Sequence, residues 1–432
     1  MQYINRFDLV IGDVFILYIS LFLMLIIRYE PSSFSLRIQS HIVPFSLVFL
    51  VWLFVFLMND LYKLRSLRMK KLFLRNLILA VSISFGLSIL IFYLFGPFFS
   101  LTPKTNLILF GIISFVLLYV WRLFSIRLLS FGQVRVVFLG ESGSLSRLLL
   151  YIKKNPQVGY RAESHIQDPS SASFRKMQNK KIDLIVLGPG IAHTSSLLSS
   201  LKLPSLSKIS FVPFQDFYGS IFEKVSLQDV DEEWAQQLLS SRRRLYDFAK
   251  RIADFVLSVF LILIFSPIIL LIWMLVSISS RGPAVYVQSR VGKGSKKFNL
   301  YKFRTMHHKS DGPLWTEDKD PRITPVGKIL RFTHLDELPQ LFNIARGDIS
   351  FTGPRPERSE LAEKYKELPY YDFRHLIKPG LTGWAQINYR ASTSLKEAGE
   401  KLSYDLYYLR HRSFFIDVIV IIKTLKYVFF SS

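Results

Sequence analysis

Long apolar runs dominate the first third of the chain. Four of them occupy roughly residues 8–27, 42–61, 72–95 and 106–126. Each run is close to the ~20 residues that an α-helix needs to cross a bilayer. Because four such runs follow one another, the pattern favours a four-helix transmembrane bundle over the buried helices of a soluble protein.

Charged residues around these runs predict the orientation of the bundle. The link between the third and fourth runs, "GPFFSLTPK", holds one basic residue. The link between the second and third runs holds Lys63, Arg65, Arg68, Lys70, Lys71 and Arg75. The positive-inside rule then places both ends of the bundle in the cytoplasm, and Arg122 fits this orientation. The first run contains Asp8 and Asp13 and lacks a small-residue cleavage site, which predicts a retained helix rather than a signal peptide.

The pattern changes after residue 130 to short strands that alternate with helices. "VRVVFLG" (134–140) and "IDLIVLG" (182–188) are β-branched runs that end in glycine, and a helix-like stretch separates them. This alternation predicts an α/β domain with a parallel sheet. The turn "GESGS" falls short of the G-x-G-x-x-G dinucleotide fingerprint, because Ser142 and Leu145 replace glycines. We expect a degenerate Rossmann-like, CoA-binding-like domain that acts as a scaffold or regulator, with a phosphate at the helix N-terminus as the alternative.

One further apolar run, about residues 252–279, contains a proline near its centre. No charged residue lies between Asp254 and Arg281, so the run is long enough to span a membrane. Basic residues flank both ends, which places both ends on the cytoplasmic face. Pro267 removes a helix hydrogen bond, and the hydroxyl of Ser266 can satisfy a freed carbonyl. The pattern predicts a re-entrant helix hairpin that breaks at Ser266-Pro267, and a kinked span is the alternative.

The last apolar stretch, "SFFIDVIVIIKTLKYVFF", carries sparse charges at Asp417, Lys423 and Lys426. It suits a helix that lies at the membrane surface. A helix in the core of the last domain fits the same pattern equally well.

Composition supports a membrane protein with anionic partners. Half of the 432 residues are apolar, 38 are phenylalanine, and the net charge is +23. The basic residues cluster beside hydrophobic segments, and no basic-aromatic nucleic-acid module is visible. We therefore expect a phospholipid membrane and phosphorylated metabolites as partners, and no nucleic acid. The chain has no cysteine, which excludes disulfides and thiolate metal sites.

Two polar stretches after residue 282 supply candidate cations. "NLYKFRTM" places Lys302 and Arg304 at a spacing that points both side chains the same way on an extended strand, as a phosphate site needs. A solvated strand face is the alternative. In "GPRPERSE", two prolines fix the backbone around Arg355 and hold Arg358 nearby. A rigid arginine loop can clamp a diphosphate, because guanidinium pairs bidentately with phosphate oxygens.

Two more stretches supply acids and a recognition surface. In "RFTHLDELPQLFNIARGDIS", Asp336 and Glu337 stand side by side, and their alternative role is the acidic first turn of a helix. Neighbouring residues on an α-helix point ~100° apart, so the two acids can serve one phosphate by different routes. "KPGLTGWAQIN" offers Trp384, Gln386 and Asn388, which suit stacking and hydrogen bonding to a base or a sugar.

These motifs carry a family resemblance. "YKFRTM", "LDELPQLFNIARGDISFTGPRP", "KPGLTGWAQIN" and "YDLYYLRHRSFFIDVIVIIKT" resemble the bacterial sugar transferase family, the monotopic polyprenyl-phosphate glycosyl-1-phosphate transferases. The motif-level likeness covers about residues 245–432, whereas over 1–240 it rests on architecture. That architecture is similar to the long members, which include the undecaprenyl-phosphate galactose and glucose phosphotransferases. Where many members have Ser-Leu before the acids, this chain has His334-Leu335.

The resemblance implies a reaction and roles for the motif residues. A UDP-sugar and polyprenyl (undecaprenyl) phosphate would give polyprenyl-diphospho-sugar and UMP with Mg²⁺, through two displacements. Asp336 would be the nucleophile that forms a phosphosugar-enzyme intermediate, and Glu337 would bind the metal. Arg331 would sit on the phosphates with Lys302 and Arg304, and Arg355 would hold the nucleotide or the acceptor phosphate.

The sequence thus predicts a multi-pass protein of the bacterial inner membrane with its catalytic domain in the cytoplasm. The expected domains are a bundle over 1–130, the α/β domain over 131–240, and a mostly α-helical catalytic domain over 241–432. The expected role is the initiation of O-antigen, capsule or exopolysaccharide synthesis with a hexose, and a homodimer is an assembly that the sequence allows. The alternatives are a membrane-anchored nucleotide-sugar dehydratase, which needs an intact G-x-G-x-x-G, and a non-catalytic scaffold, which leaves the charged residues of 302–358 without a role.

Overall fold

The structure is a computed structural model that forms two compact units, Met1–Phe214 and Gln215–Ser432. The residues that the structure describes are 6–31, 34–59, 61–62, 70–94, 104–130, 133–155, 158–167, 181–189, 209–240, 243–307, 320–389 and 394–430.

Long apolar helices form the first part of the first unit. They are α1 (Arg6–Arg28), α2 (Phe34–Met58), α3 (Lys70–Leu94) and α4 (Lys104–Ser130). Each is long and apolar enough to cross a membrane. Aromatic side chains fill the space between them: Trp52 meets Phe110 edge-on, with ring centroids 5.2 Å apart. The helices agree with the four runs in the sequence.

A buried ion pair lies inside this bundle. The guanidinium of Arg122 on α4 donates to the carboxylate of Asp13 on α1, and both side chains are almost fully buried. Charges within a membrane segment are costly unless they are paired. Arg122 therefore neutralises a buried acid. The sequence analysis had considered Arg122 only as a charge that flanks the membrane.

A parallel sheet follows the bundle. Its strands are β1 (Val134–Leu139), β2 (Tyr160–Ile166), β3 (Leu184–Leu187) and β4 (Ser210–Pro213), and helix α5 (Gly143–Lys154) follows β1. Among the described residues the strand order is β2-β1-β3-β4, with parallel pairing throughout. The predicted α/β organisation with a parallel sheet is confirmed, whereas its Rossmann-like character and any ligand stay predictions.

Ser142 shows why the glycine fingerprint is broken. Its hydroxyl accepts a hydrogen bond from the Leu145 N–H at 3.0 Å and caps the N-terminus of α5. A serine is among the preferred residues at such a cap, where it satisfies an otherwise unpaired helix N–H. The residue that departs from the dinucleotide pattern therefore stabilises the helix.

The second unit is mostly helical. Its helices are α6 (Phe214–Phe222), α7 (Glu232–Ser240), α8 (Arg244–Ser279), α9 (Pro325–Phe332), α10 (Gln340–Arg346), α11 (Ser359–Tyr365), α12 (Trp384–Asn388), α13 (Leu395–His411) and α14 (Phe414–Phe430). Two pairs of strands join them: antiparallel β5 (Val285–Val291) and β6 (Lys297–Phe303), and parallel β7 (Ser350–Thr352) and β8 (Gly380–Thr382).

Helix α13 organises the core of this unit. A reciprocal capping box between Ser394 and Glu397 starts the helix. Leu402, Leu406 and their neighbours then pack against Trp234 of α7. The structure therefore groups residues 215–240 with the second unit, whereas the sequence pattern had placed them with the α/β domain.

Helix α8 is helical throughout, with Pro267 in its interior. The hydroxyl of Ser266 donates to the carbonyl of Leu263 at 2.8 Å. Its middle is exposed and apolar, as at Leu263 and Leu270, which are 68% and 63% exposed. The break at Ser266-Pro267 and the return of the chain to the same membrane face stay predictions.

Both ends of α8 contact the same folded unit. Near its start, Asp254 accepts a hydrogen bond from the Phe351 N–H at 3.4 Å. Near its end, Ile272 and Val276 pack in a cluster with Phe303 of β6. The apolar middle of the helix is thus held between two attachments to one domain.

Candidate active site

Helix α9 leads into the acid pair and is anchored at its start. The hydroxyl of Thr324 accepts a hydrogen bond from the Gly327 N–H at 2.9 Å and caps the helix. A Cβ at Gly327 would lie 2.1 Å from the carbonyl oxygen of Thr305. Only glycine therefore lets α9 approach the chain that follows β6 this closely.

Asp336 and Glu337 lie in a tight turn between two helices. His334 adopts a left-handed φ of 54°, and Leu335–Glu337 then form one 3₁₀ turn. Helix α10 begins at Gln340, so the acids precede its first turn. Neighbouring side chains on a 3₁₀ turn point ~120° apart, which separates the two carboxylates slightly more than an α-helix would.

Glu337 is held by two cations. Its Oε1 lies 2.6 Å from Nζ of Lys302 and 3.4 Å from a guanidinium nitrogen of Arg355. Burial pushes the pKa of Glu337 upward, but Lys302 and Arg355 outweigh burial and lower the pKa to about 2. Glu337 is therefore ionised at neutral pH.

The pKa of Asp336 is shifted in the opposite direction, upward. Burial raises the pKa of its carboxyl, and the negative charge of Glu337 adds to this rise, while Lys302 opposes it. Adjacent acids whose pKa values are pushed apart are typical of sites where two carboxylates have different tasks.

Arg331 supplies a third cation near the acids. Its Nε donates to the hydroxyl of Thr305 at 2.8 Å. Burial lowers the pKa of this guanidinium, and the charges of Asp336 and Asp320 act against burial. The turn thus brings Lys302, Arg331 and Arg355 around two carboxylates, an arrangement that can bind a phosphorylated anion.

A buried ion network holds the Pro-Arg-Pro loop. Arg374 donates to the backbone carbonyl of Arg355 at 2.9 Å and pairs with Asp405 at 2.9 Å. Lys401 pairs with Glu357 at 2.9 Å, directly after the loop. Burial raises the pKa of Glu357, but Lys401 and Arg374 outweigh burial and lower it to about 2.

The sequence interpretation did not include these network residues. One signal was available, because Asp405 lies next to Leu406 on the apolar face of α13, between Leu402 and Leu409. An acid at a core position of an amphipathic helix indicates a buried cationic partner.

Comparison with known proteins places this site in a family. The family model described as bacterial sugar transferase matches residues 245–431, and the model described as CoA-binding domain matches residues 57–186. A UDP-glucose:undecaprenyl-phosphate glucose-1-phosphate transferase of Caulobacter vibrioides is 36% identical over 223 residues, which are 49% of this chain and 82% of the relative. The chain belongs to the bacterial sugar transferase family.

Other members of the sugar transferase family match over a smaller share of their length. A UDP-N-acetylgalactosamine-undecaprenyl-phosphate N-acetylgalactosaminephosphotransferase of Aeromonas hydrophila is 37% identical over 225 residues, 51% of this chain and 53% of the relative. A UDP-glucose:undecaprenyl-phosphate glucose-1-phosphate transferase of Escherichia coli is 41% identical over 180 residues, 40% of this chain and 39% of the relative. The chain thus spans about half or less of the length of these two curated relatives.

Two of the predicted phosphate-binding cations, Arg304 and Arg358, have other contacts than the acid pair. Arg304 is buried, and its guanidinium donates to the carbonyls of Ser280 and Arg281 just beyond α8, at 2.7 and 3.2 Å. The strand β6 ends at Phe303, so the alternation that would have aligned Arg304 with Lys302 ends there. Arg358 is half-buried at the N-cap of α11 and forms a backbone bridge with Arg290.

Of the predicted recognition residues, Trp384 lies in the core of the domain, whereas Gln386 and Asn388 are half-buried. Trp384 is 2% exposed, and its indole N–H donates to the Glu223 carbonyl at 3.0 Å. Tyr407 stacks on its ring, with centroids 5.9 Å apart. Asn388 donates to the Trp384 carbonyl at 2.9 Å, and Gln386 is half-buried beside them. The contacts of Trp384 are those of a packing residue, because neither face of the indole is open to a ligand.

The acid pair offers carboxylate oxygens of the kind that Mg²⁺ binds. Within the residues that the structure describes, no group of three or more His, Cys, Asp or Glu converges. Magnesium usually takes one or two protein carboxylates and completes its shell with water and substrate phosphates. Glu337 is ionised, and Lys302 and Arg355 both contact its Oε1, so its second carboxylate oxygen, with Asp336 beside it, would be the protein donor that fits this ion.

Proposed function

We propose that this chain transfers a sugar-1-phosphate from a UDP-sugar to undecaprenyl phosphate, which gives undecaprenyl-diphospho-sugar and UMP. The observation that carries the proposal is the pair of adjacent acids with opposed pKa shifts, surrounded by Lys302, Arg331 and Arg355. Members of the family named above act on UDP-linked sugars and undecaprenyl phosphate.

The first displacement begins at Asp336. A carboxylate oxygen of Asp336 attacks the phosphorus that carries the sugar, and the bond from this phosphorus to the bridging oxygen of the diphosphate breaks. UMP leaves with the electron pair, and an aspartyl-phosphosugar remains on the chain. A carboxylate is a sufficient nucleophile when it is held close and nearby cations offset the charge of the diphosphate. Lys302 and Arg355 provide such charge beside Glu337.

The second displacement regenerates the acid. A phosphate oxygen of undecaprenyl phosphate attacks the same phosphorus, and the bond to the Asp336 oxygen breaks. The product carries the diphosphate, and Asp336 returns as a carboxylate. Mg²⁺ held by Glu337 would supply positive charge that offsets the charge of the diphosphate.

The donor sugar in this proposal is a hexose or its N-acetylated amino form. The relatives' names include glucose, galactose and N-acetylgalactosamine. The product would begin the assembly of an O-antigen, a capsule or an exopolysaccharide.

The membrane arrangement in this proposal follows from α8. Both ends of α8 contact one domain, and its middle exposes apolar side chains such as Leu263 and Leu270. A helix that enters the cytoplasmic leaflet of the inner membrane and returns would satisfy both observations, with Pro267 at the turning point. In this arrangement the acid pair would lie at the face where UDP-sugars are available.

The decisive experiment measures UMP release and the covalent adduct together. The full chain is incubated with undecaprenyl phosphate, Mg²⁺ and a panel of UDP-sugars. The intact mass of the protein is recorded with the donor alone. Asp336→Asn is expected to lower UMP release by on the order of 10³-fold or more and to remove the phosphosugar adduct, since the nucleophile is lost.

A matched variant controls for the change of charge. Asp372 is exposed, so Asp372→Asn is expected to retain both UMP release and the adduct. Normal turnover in Asp336→Asn would overturn the assignment of the nucleophile. Formation of a keto-sugar in place of UMP would instead favour a nucleotide-sugar dehydratase.

A further inference from the structure

A second cluster of cations surrounds a cavity at the start of α8. The cavity has a volume of ≈ 140 Å³. Five basic residues line it, against two acidic ones. The basic residues are Lys250, Arg251, Lys293, Lys378 and Arg412, and the acidic ones are Asp247 and Asp254.

Some of these charges are already neutralised by neighbours. Arg412 donates to the carboxylate of Asp247. Lys250 pairs with Asp417 at 2.7 Å. These two ion pairs leave Arg251, Lys293 and Lys378 facing Asp254 alone among the residues that line the cavity.

Arg251 and Lys378 converge on one point. A Cβ at Gly347 would lie 2.9 Å from Cζ of Arg251 and 3.1 Å from Nζ of Lys378. The guanidinium of Arg251 donates to the carbonyls of Ile344 and Ala345, both at 2.7 Å, at the end of α10. Two cations held this close repel each other, and the two carbonyls that accept from Arg251 offset this repulsion less than a full negative charge between the cations would.

Lys378 has no hydrogen-bond or ion-pair partner among the described residues, although it is half-buried. Burial lowers the pKa of its ammonium, and the charges of Arg251 and Lys293 lower it further. Asp254 and Asp348 oppose this effect without reversing it. With Asp348 and Asp417 counted beside Asp247 and Asp254, the five cations of the cavity face four carboxylates, so one positive charge is in excess.

The cavity lies where α8 becomes apolar. Asp254 is the last charged residue of the helix before Arg281. Next to the cavity on α8, Phe255 is 50% exposed, and the guanidinium of Arg251 lies 5.8 Å from its ring centroid. Cations beside exposed aromatic and apolar side chains fit an amphiphile whose phosphate adjoins its hydrocarbon part.

We infer that this cavity binds the phosphate of a membrane lipid headgroup between Arg251 and Lys378, with Lys293 at its rim. The site is separate from the acid pair. Helix α10 begins three residues after Glu337 and ends beside Arg251, and its seven residues span about 10 Å. The bound phosphate is thus not the one that would react at Asp336, and the lipid would fix the start of α8 at the membrane surface.

Lipid retention tests the inference. The full chain is reconstituted in vesicles of phosphatidylcholine with phosphatidylglycerol, extracted in detergent, and analysed by native mass spectrometry for bound phosphatidylglycerol. Lys378→Met is expected to weaken retention about tenfold, because it removes one charge-assisted hydrogen bond. Lys293→Gln, at an exposed position, is expected to weaken it less.

Two matched measurements make the result specific. Lys364→Gln changes an exposed lysine on α11 and is expected to retain lipid as the unsubstituted chain does. Asp336→Asn is expected to retain lipid as well, so a failure of the proposed transfer reaction would not affect this result. Without lipid, Lys378→Met is expected to unfold at the same or a higher temperature, because it relieves repulsion from Arg251 and Lys293.

Equal retention of phosphatidylglycerol by Lys378→Met and the unsubstituted chain would overturn the inference. The same holds if Lys378→Met weakens the binding of inorganic phosphate in detergent but leaves lipid retention unchanged. That outcome would assign the cavity to a soluble phosphate.

Discussion

The ammonium of Lys302 lies 2.6 Å from Oε1 of Glu337, although 35 residues separate them in the chain. Strand β6 delivers the lysine, and the 3₁₀ turn between α9 and α10 delivers the glutamate. This contact joins two motifs that are separate in the sequence, and the charge of Lys302 favours the ionised form of both acids.

Lys302→Met is expected to reduce turnover by about 10²-fold and to change its pH dependence. Lys302 lowers the pKa of Glu337 and opposes the rise at Asp336, so both pKa values increase without it. Because the ionised acids are the active forms, the acid limb of the rate profile then moves to higher pH. UMP release measured against pH checks this.

Lys302→Arg is expected to keep the acid limb close to its original position, because it retains the positive charge. Lys296→Met, on the exposed turn of the same hairpin, is expected to leave the profile unchanged. An unshifted acid limb in Lys302→Met would contradict the electrostatic role of the lysine.

Arg374→Met is expected to lower the free energy of unfolding by about 3–5 kcal/mol, because it leaves buried Asp405 without its cation, while Glu357 keeps Lys401. Adding Asp405→Asn to this variant is expected to restore part of the loss. Thermal unfolding of the full chain in detergent measures both effects.

Lys366→Met, which removes an exposed partner of Glu363, is the control and is expected to change the stability little. Equal effects of the buried and the exposed substitution would refute the structural importance of the network.

Gly327→Ala is expected to destabilise the second unit by about 1–3 kcal/mol, because the added Cβ meets the Thr305 carbonyl oxygen at 2.1 Å. Gly399→Ala is the matched control within the same unit. Its Cβ would meet the nearest side-chain atom at 3.6 Å, and alanine favours the helix interior by up to about 1 kcal/mol. The thermal midpoint is expected to fall in Gly327→Ala and to rise in Gly399→Ala. An unchanged midpoint in Gly327→Ala would show that α9 can shift.

Single cysteines test the path of α8, and the chain has no native cysteine to interfere. Ser240→Cys and Lys296→Cys lie before and after the helix at exposed positions. A membrane-impermeant thiol reagent is expected to label both from the cytoplasmic face of sealed vesicles. Thr102→Cys, in the sparsely charged link between α3 and α4, is expected to react from the opposite face. Labelling of residues 240 and 296 from different faces would show that α8 spans the membrane.

The broad plan of this protein follows from local patterns in its sequence. The length of apolar runs is a local property, so α1 to α4 and α8 could be predicted from composition alone. The alternation of β-branched runs with a helix likewise predicted the parallel sheet. Motif residues around Asp336 and Glu337 indicated the family, because their order along the chain needs no three-dimensional information.

Which charges meet depends instead on how the helices and strands pack. Lys302 and Arg304 are two residues apart, a spacing that would point both side chains the same way on one strand. Lys302 contacts Glu337, whereas Arg304 donates to a carbonyl beyond the end of α8, because β6 ends between them. Trp384 was a candidate ligand contact by residue type and is a core residue by burial. Arg374 escaped notice because its partner Asp405 is distant in sequence. Burial and long-range pairing depend on how helices and strands pack, and no local pattern encodes that packing.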